Sequence, residues 1–327
     1  MTRSTIRTRV AVGIGVLALA ACSSARGSDV RIDVAPARNQ KNVHGLVDIG
    51  HGRRLWVECR GTGSPTVVLI SGKGTDAADW TQILDPTDPA RNAPGDDVGA
   101  GLAKQIPSDR AVFPSVARFT RVCAYDRPDT RLTGAHRSTP RPQPHTVDDD
   151  VRDLHALLAF VGEGGPYVLV SHSYAGWIAE LYARRYPRSV GGLVMVDAAT
   201  NLLGSVMSPT QLAQWDATNR MTSPQLQEGV EVINAIQQID AAGPMPHIPA
   251  VVLTADKPYR IDLLPPGTDP QAGLTFDAWR SSQDRLAAEL GARHVTNTAS
   301  GHHIYLYSPA LVVDAVREVL DDVHAAK

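Results

Sequence analysis

Five short apolar runs restrict most strongly what this chain can fold into. None of them alternates with polar residues, as a strand with one solvated face would do. Strands that are apolar on both faces are typical of a parallel sheet covered by helices on each side. The runs occupy residues 67–70, 122–125, 167–170, 193–196 and 251–253.

Amphipathic helical patterns lie between and after these runs. Apolar residues from Val147 to Val161 follow a helical period, and Thr146 is placed to cap their start. A second apolar stripe runs from Val312 to Val323, behind Ser308 and Pro309. This alternation of strands and helices predicts an α/β fold with a mostly parallel, doubly wound sheet.

Charge, cysteine content and motif spacing exclude several classes of protein. The chain has 32 Lys and Arg against 34 Asp and Glu, a formal net charge of −2, which argues against a basic nucleic-acid clamp. Three cysteines are too few for a disulfide-rich scaffold or a zinc ribbon. His302 and His303 are adjacent rather than one helical turn apart, and Gly72-Lys73-Gly74 lacks P-loop spacing. We therefore expect no metal, no cofactor and no nucleic-acid partner.

The N-terminus has the pattern of an export signal. Three arginines precede an apolar run at residues 10–21, which is short for a membrane span. The run ends in Leu19-Ala20-Ala21-Cys22, which resembles the lipobox of bacterial lipoproteins, where the cysteine is lipidated and becomes the first mature residue. We therefore expect a signal peptide at residues 1–21. Lipid on Cys22 would anchor the exported, extracytoplasmic protein to the bacterial cell membrane.

Processing at this point would change the charge and define the folded part. The mature chain would have 29 basic and 34 acidic residues, a net charge of −5, so membrane attachment would depend on the lipid rather than on charge. Residues 22–42 are polar and without periodicity, as in a tether, which leaves residues 43–327 for the domain. Within it, residues 84–115 are rich in Asp, Pro and Gly and indicate a surface insertion, whereas residues 200–225 indicate a short lid.

The sharpest local signal surrounds Ser173. In Val170-Ser171-His172-Ser173-Tyr174-Ala175-Gly176, a buried strand passes directly into a helix through small residues. This is the arrangement of a nucleophile elbow, normally Gly-x-Ser-x-Gly, in which the nucleophile takes a strained backbone conformation at the apex. The positions two before and two after the nucleophile must be small, and here they hold Ser171 and Ala175. The N-terminus of the following helix favours negative charge at the turn.

At this point the chain resembles the α/β-hydrolase superfamily, and in particular its serine-hydrolase branch of esterases and lipases, because the elbow carries Ser. The resemblance runs from about residue 53 to the C-terminus and implies a sheet of about eight strands with a lid. We expect a monomer. The matching parts, in the family's order, are Ser71-Gly72-Lys73-Gly74, Tyr125-Asp126-Arg127-Pro128, the elbow, and Ser300-Gly301-His302 before the last helix.

The resemblance implies a role for each residue of the site. Ser173 would be the nucleophile and His302 the general base, with His303 as the fallback in the same loop. His172 would shape the pocket wall. The backbone N–H groups of Tyr174 and Lys73 would form the oxyanion hole.

The acid that orients the histidine has several candidates. The family most often places it after the strand at residues 251–253, where Pro258 occupies the usual position and Asp256 lies two residues early. Other members place it after the preceding strand, where this chain has Asp197. We favour Asp197, with Asp256, Asp262 or no acid as the alternatives. The acid holds the histidine tautomer and stabilises the imidazolium.

Cys59 and Cys123 lie on strands that are neighbours in the family's strand order. An exported protein meets an oxidising environment, so we expect a disulfide between them, with two buried thiols as the alternative.

The predicted function is that of a serine hydrolase, most simply a carboxylesterase that cleaves a small-molecule ester through an acyl-enzyme. Two alternatives stay open. A peptidase or amidase would use the same residues, whereas a catalytically silent lipoprotein would only bind a small apolar ligand in the pocket. Departures from the family pattern at Ser71, Ala175 and Pro258 favour the silent alternative, and Asp129 in place of the usual Gly bears on substrate choice.

Overall fold

The computed structural model describes residues 42–99, 101–130, 137–161, 165–223, 226–260, 262, 269 and 271–326. The predicted signal peptide, the lipidation site at Cys22 and nearly all of the predicted tether lie outside these residues. In the described part of the chain, no helix combines the length and the apolar character needed to cross a membrane.

Eight strands of the described residues form one sheet, in the order β1-β2-β6-β3-β7-β8-β9-β10. The pairs β1–β2 and β2–β6 are antiparallel, whereas each neighbouring pair from β6 to β10 is parallel. The prediction of a mostly parallel sheet of about eight strands is therefore confirmed. The strands are β1 (Val43–Gly50), β2 (Arg53–Arg60), β3 (Val67–Ile70), β6 (Val122–Tyr125), β7 (Tyr167–Ser173), β8 (Val190–Ala198), β9 (Ala250–Leu253) and β10 (Arg293–Val295), and a separate antiparallel pair consists of β4 (Gln82–Leu84) and β5 (Gln105–Pro107).

Helices cover both faces of this sheet. Because successive side chains of a strand point to opposite faces, Met195 packs in one layer while Val194 and Val196 pack in the other. The first layer includes α2, α3 and α6, and the second includes α1, α7 and α8. The helices are α1 (Val112–Val116), α2 (Val147–Val161), α3 (Ala175–Arg185), α4 (Pro209–Arg220), α5 (Val232–Asp240), α6 (Phe276–Leu290), α7 (Ile304–Tyr307) and α8 (Pro309–Ala325).

Two segments interrupt the strand–helix alternation. The segment at residues 84–115 was predicted to be a surface insertion. It also contributes buried residues, namely Val98, Phe113 and Asp96. In the region of the predicted lid, Ser208 and Gln211 form a capping box that begins α4. Helix α5 follows α4 and lies beyond the predicted end of the lid at residue 225.

A disulfide joins the antiparallel strands β2 and β6. Cys59 and Cys123 are paired residues in the register of these strands, and their sulfur atoms are bonded. The bridge links positions that are 64 residues apart in the chain.

Candidate active site

Ser173 lies at the sharp turn between β7 and α3. Its backbone has a φ of 53°, a left-handed conformation that is strained for a residue with a side chain. The turn packs tightly against the end of β8: a Cβ added at Gly176 would lie 2.1 Å from the carbonyl oxygen of Ala199, so only glycine fits there. Ala175, which replaces the second glycine of the usual motif, is fully buried. The strained elbow predicted from the sequence is therefore present with Ser173 at its apex.

The structure brings His302 and Asp197 together. The Nδ1 atom of His302 lies 2.6 Å from Oδ2 of Asp197, and Oδ1 of Asp197 accepts the backbone N–H of Ala255 at 2.9 Å. Asp197 is fully buried near the end of β8. Because an ionised carboxylate can only accept, Nδ1 carries the proton in this pair, which leaves Nε2 of the neutral ring as an acceptor.

The alternative acids have other partners. Asp256 accepts the backbone N–H groups of Ala299 and Ser300 at 3.0 and 2.9 Å, so it shapes the loop that precedes His302. Asp262 pairs with the guanidinium of Arg260.

His303 is partly buried, with its Nδ1 atom enclosed. Its Nδ1 has no hydrogen-bond partner among the described residues, and burial lowers the pKa of the ring to about 3. Among the residues that the structure describes, no carboxylate is hydrogen-bonded to His303 as Asp197 is to His302.

His172 connects the elbow with the His302 loop. Its Nε2 donates to the carbonyl oxygen of His302 at 3.0 Å, and burial holds the pKa of the ring well below its usual value. The sequence predicted His172 in the pocket wall, but it is not among the described residues that line the cavity with Ser173; its ring packs against those of His302, His303 and Tyr305, with centroids 4.6, 5.0 and 4.9 Å apart.

The loop predicted to form the oxyanion hole lies close to Ser173. A Cβ added at Gly72 would lie 2.8 Å from Nδ1 of His172 and 3.0 Å from Cβ of Ser173, so the backbone can pass here only as glycine. Lys73 and Tyr174, whose N–H groups were predicted as oxyanion donors, line the same cavity as Ser173.

A buried ion pair fixes the shape of this loop. The guanidinium of Arg127 donates to the carbonyl oxygens of Ser71 and Gly72 at 2.5 and 2.7 Å, and its Nε donates to Glu228 at 2.9 Å. The other oxygen of Glu228 accepts the backbone N–H of Gly74 at 2.7 Å. Both side chains are buried, so the pair controls which way the peptide groups of the loop face.

A second set of buried groups supports Tyr174. Its hydroxyl donates to Asp150 at 2.6 Å, and Asp150 also lies 2.8 Å from Nε2 of His145. Burial lowers the pKa of His145, but the carboxylates of Asp150 and Glu228 outweigh it, so that the pKa is raised. The partners of Asp150 hold its own pKa at about 2 despite its burial.

This second set contains side chains of the types that bind metal ions. Single donor atoms of His145, Asp150 and Glu228 lie within 4.8 Å of one another. However, Nε of Arg127 lies 2.9 Å from Glu228 and 3.9 Å from Asp150, so a guanidinium already neutralises the carboxylates that a metal ion would need. The group is better described as a buried ion network.

Sequence reasoning missed Asp96 and Glu228. Asp96 is buried and accepts the backbone N–H of His302 at 2.9 Å and the hydroxyl of Tyr307 at 3.2 Å. It fits against the loop because a Cβ on Gly301 would lie 2.2 Å from its Cγ. Neither carboxylate belongs to a local motif, since their partners lie far away in the chain.

Two departures from the family pattern have structural explanations. Ser71, in place of the usual His, accepts the indole N–H of Trp80 and donates to the carbonyl oxygen of Asp76, both at 2.9 Å. Asp129, in place of Gly, has a φ of 60°, a conformation that Asp tolerates better than most residues. Its carboxylate accepts the backbone N–H of Arg141. Both residues thus stabilise loops near the site and leave its reactive groups in place.

Ser173 and His302 line one cavity of about 710 Å³. Its lining includes five aromatic residues, and α4 contributes Trp215 and Asn219. A serine at a strained turn, a histidine hydrogen-bonded to a buried carboxylate, and Lys73 and Tyr174 with their backbone N–H groups share this cavity, and side chains of these types can carry out acyl transfer. The aromatic residues of the lining are Tyr174, Trp177, Trp215, Tyr259 and Trp279.

Part of the chain is similar in sequence to known proteins. Lipase LipV of Mycobacterium tuberculosis is 41% identical over 70 residues, which cover 21% of this chain and 26% of that protein. An uncharacterized protein of Schizosaccharomyces pombe is 30% identical over 153 residues, which cover 45% of this chain and 26% of that protein. The chain thus spans about a quarter of the length of these curated relatives.

Solved structures with low sequence identity share the fold. A candidate lipase from Acinetobacter baumannii AYE superimposes with a TM-score of 0.52 at 15% identity, covering 88% of this chain and 93% of that one. Est816, an N-acyl homoserine lactone degrading enzyme, has a TM-score of 0.51 at 15% identity, with coverages of 83% and 98%. The model of the alpha/beta hydrolase family matches residues 67–315, and the chain therefore belongs to that family.

Proposed function

We propose that this hydrolase cleaves carboxylic esters with Ser173 as its nucleophile. The observation that carries the proposal is the position of Ser173 at the strained elbow, in one cavity with His302, whose Nδ1 is hydrogen-bonded to Asp197. The similarity to proteins described as a lipase and a lactone-degrading enzyme supports ester bonds as the target.

The proposed reaction follows from the roles of these groups. Nε2 of His302 accepts the hydroxyl proton of Ser173 as the oxygen attacks the ester carbonyl. The N–H groups of Lys73 and Tyr174 stabilise the oxyanion, and the buried carboxylate of Asp197 stabilises the imidazolium. The protonated His302 then donates its proton to the departing alcohol. In the second half of the reaction, His302 accepts a proton from the water that attacks the acyl-enzyme, and returns it to the oxygen of Ser173 as the acid leaves.

The test separates an active hydrolase from a silent binding protein. Wild-type protein should react with a fluorophosphonate probe and hydrolyse p-nitrophenyl esters, whereas Ser173→Ala should do neither. Ser205→Ala removes an exposed serine outside the cavity and should behave as the wild type. An unlabelled wild-type protein that hydrolyses no ester would favour the silent alternative. Turnover of an aminoacyl anilide above that of every ester would favour the amidase.

We further propose that the protein is a lipoprotein anchored through Cys22. The support is the arginine-containing N-terminus, the apolar run and the Leu19-Ala20-Ala21-Cys22 sequence. Cys22→Ala should abolish incorporation of labelled fatty acid in a bacterial host and leave the precursor unprocessed or release the protein from the membrane. Mass spectrometry that finds an unmodified mature N-terminus at another residue would refute the anchor.

A further inference from the structure

We propose that the preferred substrates are esters that carry a carboxylate, which the Lys73 ammonium binds beside the reacting carbonyl. The inference rests on the proposed function and names the substrate class of the same site. The apolar part of such an ester would pack on the aromatic wall formed by Trp177, Trp215 and Trp279.

The first support is the position of Lys73. The residue lines the same cavity as Ser173 and His302 and directly follows Gly72, whose backbone lies against the Ser173 side chain. Its backbone N–H and its ammonium therefore belong to one residue beside the nucleophile. The length of the Lys73 side chain therefore limits how far a ligand group bound to the ammonium can lie from the oxyanion.

The second support is the electrostatic environment of the ammonium. Its Nζ donates to the carbonyl oxygen of Asn219 at 2.8 Å, which is a neutral acceptor in the last turn of α4. The negative charge of Glu228 raises the pKa of Lys73, but both oxygens of Glu228 are already hydrogen-bonded by Arg127 and Gly74. Burial lowers the pKa of Lys73 more than Glu228 raises it, so desolvation of this cation is incompletely compensated. A ligand carboxylate would supply the missing negative charge.

The other charge in the described lining does not cancel this preference. Asp269 is exposed to solvent, and its Oδ1 accepts the backbone N–H of Gln271 at 2.9 Å. Water screens an exposed carboxylate strongly, whereas the half-buried ammonium of Lys73 is screened less. Of these two side chains in the lining, the ammonium of Lys73 is therefore the less screened, and it favours an anionic group on the ligand.

The length of one lysine side chain limits the chemical class, because the same residue supplies both the backbone N–H and the ammonium. Only a few bonds can separate the scissile carbonyl from a carboxylate that reaches Lys73. Half-esters of short dicarboxylic acids, such as monoethyl succinate, glutarate and adipate, satisfy this requirement.

The experiment compares esters that differ only in charge. Each half-ester is paired with an analogue that keeps the ester and has a primary carboxamide in place of the free carboxylate. Hydrolysis of the ester bond is followed in both by titration of the acid released. If the ammonium forms a charge-assisted hydrogen bond, the wild-type kcat/KM for at least one half-ester should exceed that for its carboxamide analogue by about tenfold or more. Lys73→Met keeps the backbone N–H and removes the ammonium, so the ratio should fall to about one. Equal ratios in the wild type and in Lys73→Met would overturn the inference.

Controls separate this inference from the proposed function. Lys257 also donates to a main-chain carbonyl, that of Arg91, but lies outside the cavity lining, so Lys257→Met should keep the wild-type ratio. Binding is measured calorimetrically with Ser173→Ala, with and without Lys73→Met. Charge-selective binding without turnover in the wild type would reject the esterase and retain the Lys73 site. Turnover of neutral and charged esters alike would retain the esterase and reject the Lys73 site.

Discussion

Asp197 and His302 are 105 residues apart in the chain, yet the carboxylate of one lies 2.6 Å from the ring of the other. The contact arises because Asp197 lies near the end of β8, adjacent to the strand that presents Ser173, and the loop before α7 folds over this edge. Ligands and reacting groups gather at the carboxyl ends of parallel strands for the same reason.

Asp197→Asn should lower kcat by about 10³–10⁴-fold while the protein stays folded. Asparagine can turn its amide N–H₂ toward Nδ1 and so impose the wrong tautomer on His302. Kinetics with a p-nitrophenyl ester, together with a melting curve, provide the measurement. A kcat close to that of the wild type would mean that Asp197 has only a structural role.

Asp256→Asn is the matched control for Asp197. It removes a carboxylate from the same edge of the sheet, but one that accepts the N–H groups of Ala299 and Ser300. We expect a loss of about 1–2 kcal/mol in the free energy of unfolding and a modest change in kcat per folded molecule. If this variant is the inactive one, the acid follows β9 rather than β8.

The sequence was most informative about the strands that are buried on both faces of the sheet. The five apolar runs correspond to β3, β6, β7, β8 and β9, because a strand buried on both faces has no alternative to an apolar composition. The two edge strands of the sheet were not predicted. In β1 most residues are exposed or only partly buried, and β10 has only three residues, Arg293–Val295. Helices α5 and α6 were also not predicted.

The site was predictable to the extent that its groups belong to local motifs. Ser173 and His302 follow from short sequences next to a strand or a helix. Asp96 and Glu228 do not, because their partners are 206 and 101 residues away and only the tertiary fold brings them together. An isolated Asp or Glu carries no local pattern that distinguishes a buried partner from a solvated one.

Glu228→Gln should destabilise the protein by about 3–5 kcal/mol, since it removes the nearer countercharge of the buried guanidinium of Arg127 and leaves only Asp150, at 3.9 Å. It should also lower kcat, because the Ser71–Gly74 loop loses its anchor. Glu231→Gln tests the same substitution nearby, in a pair with Arg220 that is partly exposed, and should cost about 1 kcal/mol or less. Urea unfolding of both variants is the measurement. Equal costs would contradict the assignment of Glu228 as a buried anchor.

Removing the disulfide should also reduce stability. Replacing both Cys59 and Cys123 with Ala should lower the free energy of unfolding by about 2–4 kcal/mol, mainly because the unfolded chain loses a constraint across 64 residues. Activity at low temperature should persist, since the bridge lies between β2 and β6, away from the Ser173 edge. Counting thiols in denatured, unreduced protein checks the pairing: titration of both residues as free thiols would exclude the bridge.

His145→Gln should change how stability depends on pH. The carboxylates of Asp150 and Glu228 raise the pKa of His145 above 6.5, its unfolded value, despite the opposing effect of burial. The protonated ring therefore contributes stability in full below pH 6.5, and this contribution is lost as the pH rises through the folded-state pKa. Each unit of pKa elevation corresponds to about 1.4 kcal/mol. The facing groups are Asp150, Glu228, Arg141, Gln143 and the hydroxyl of Tyr174.

The measurement is the difference in unfolding free energy between the wild type and His145→Gln from pH 5 to pH 9. This difference should be largest at the acid end and decline above about pH 6.5. His155→Gln supplies a control of opposite sign. Burial lowers the pKa of His155, which stacks on Tyr186 with ring centroids 4.0 Å apart, so its contribution is present above pH 6.5 and lost on acidification. A difference for His145→Gln that grows with pH, as expected for His155→Gln, would show that His145 is buried neutral and that its charge does not hold the network around Tyr174.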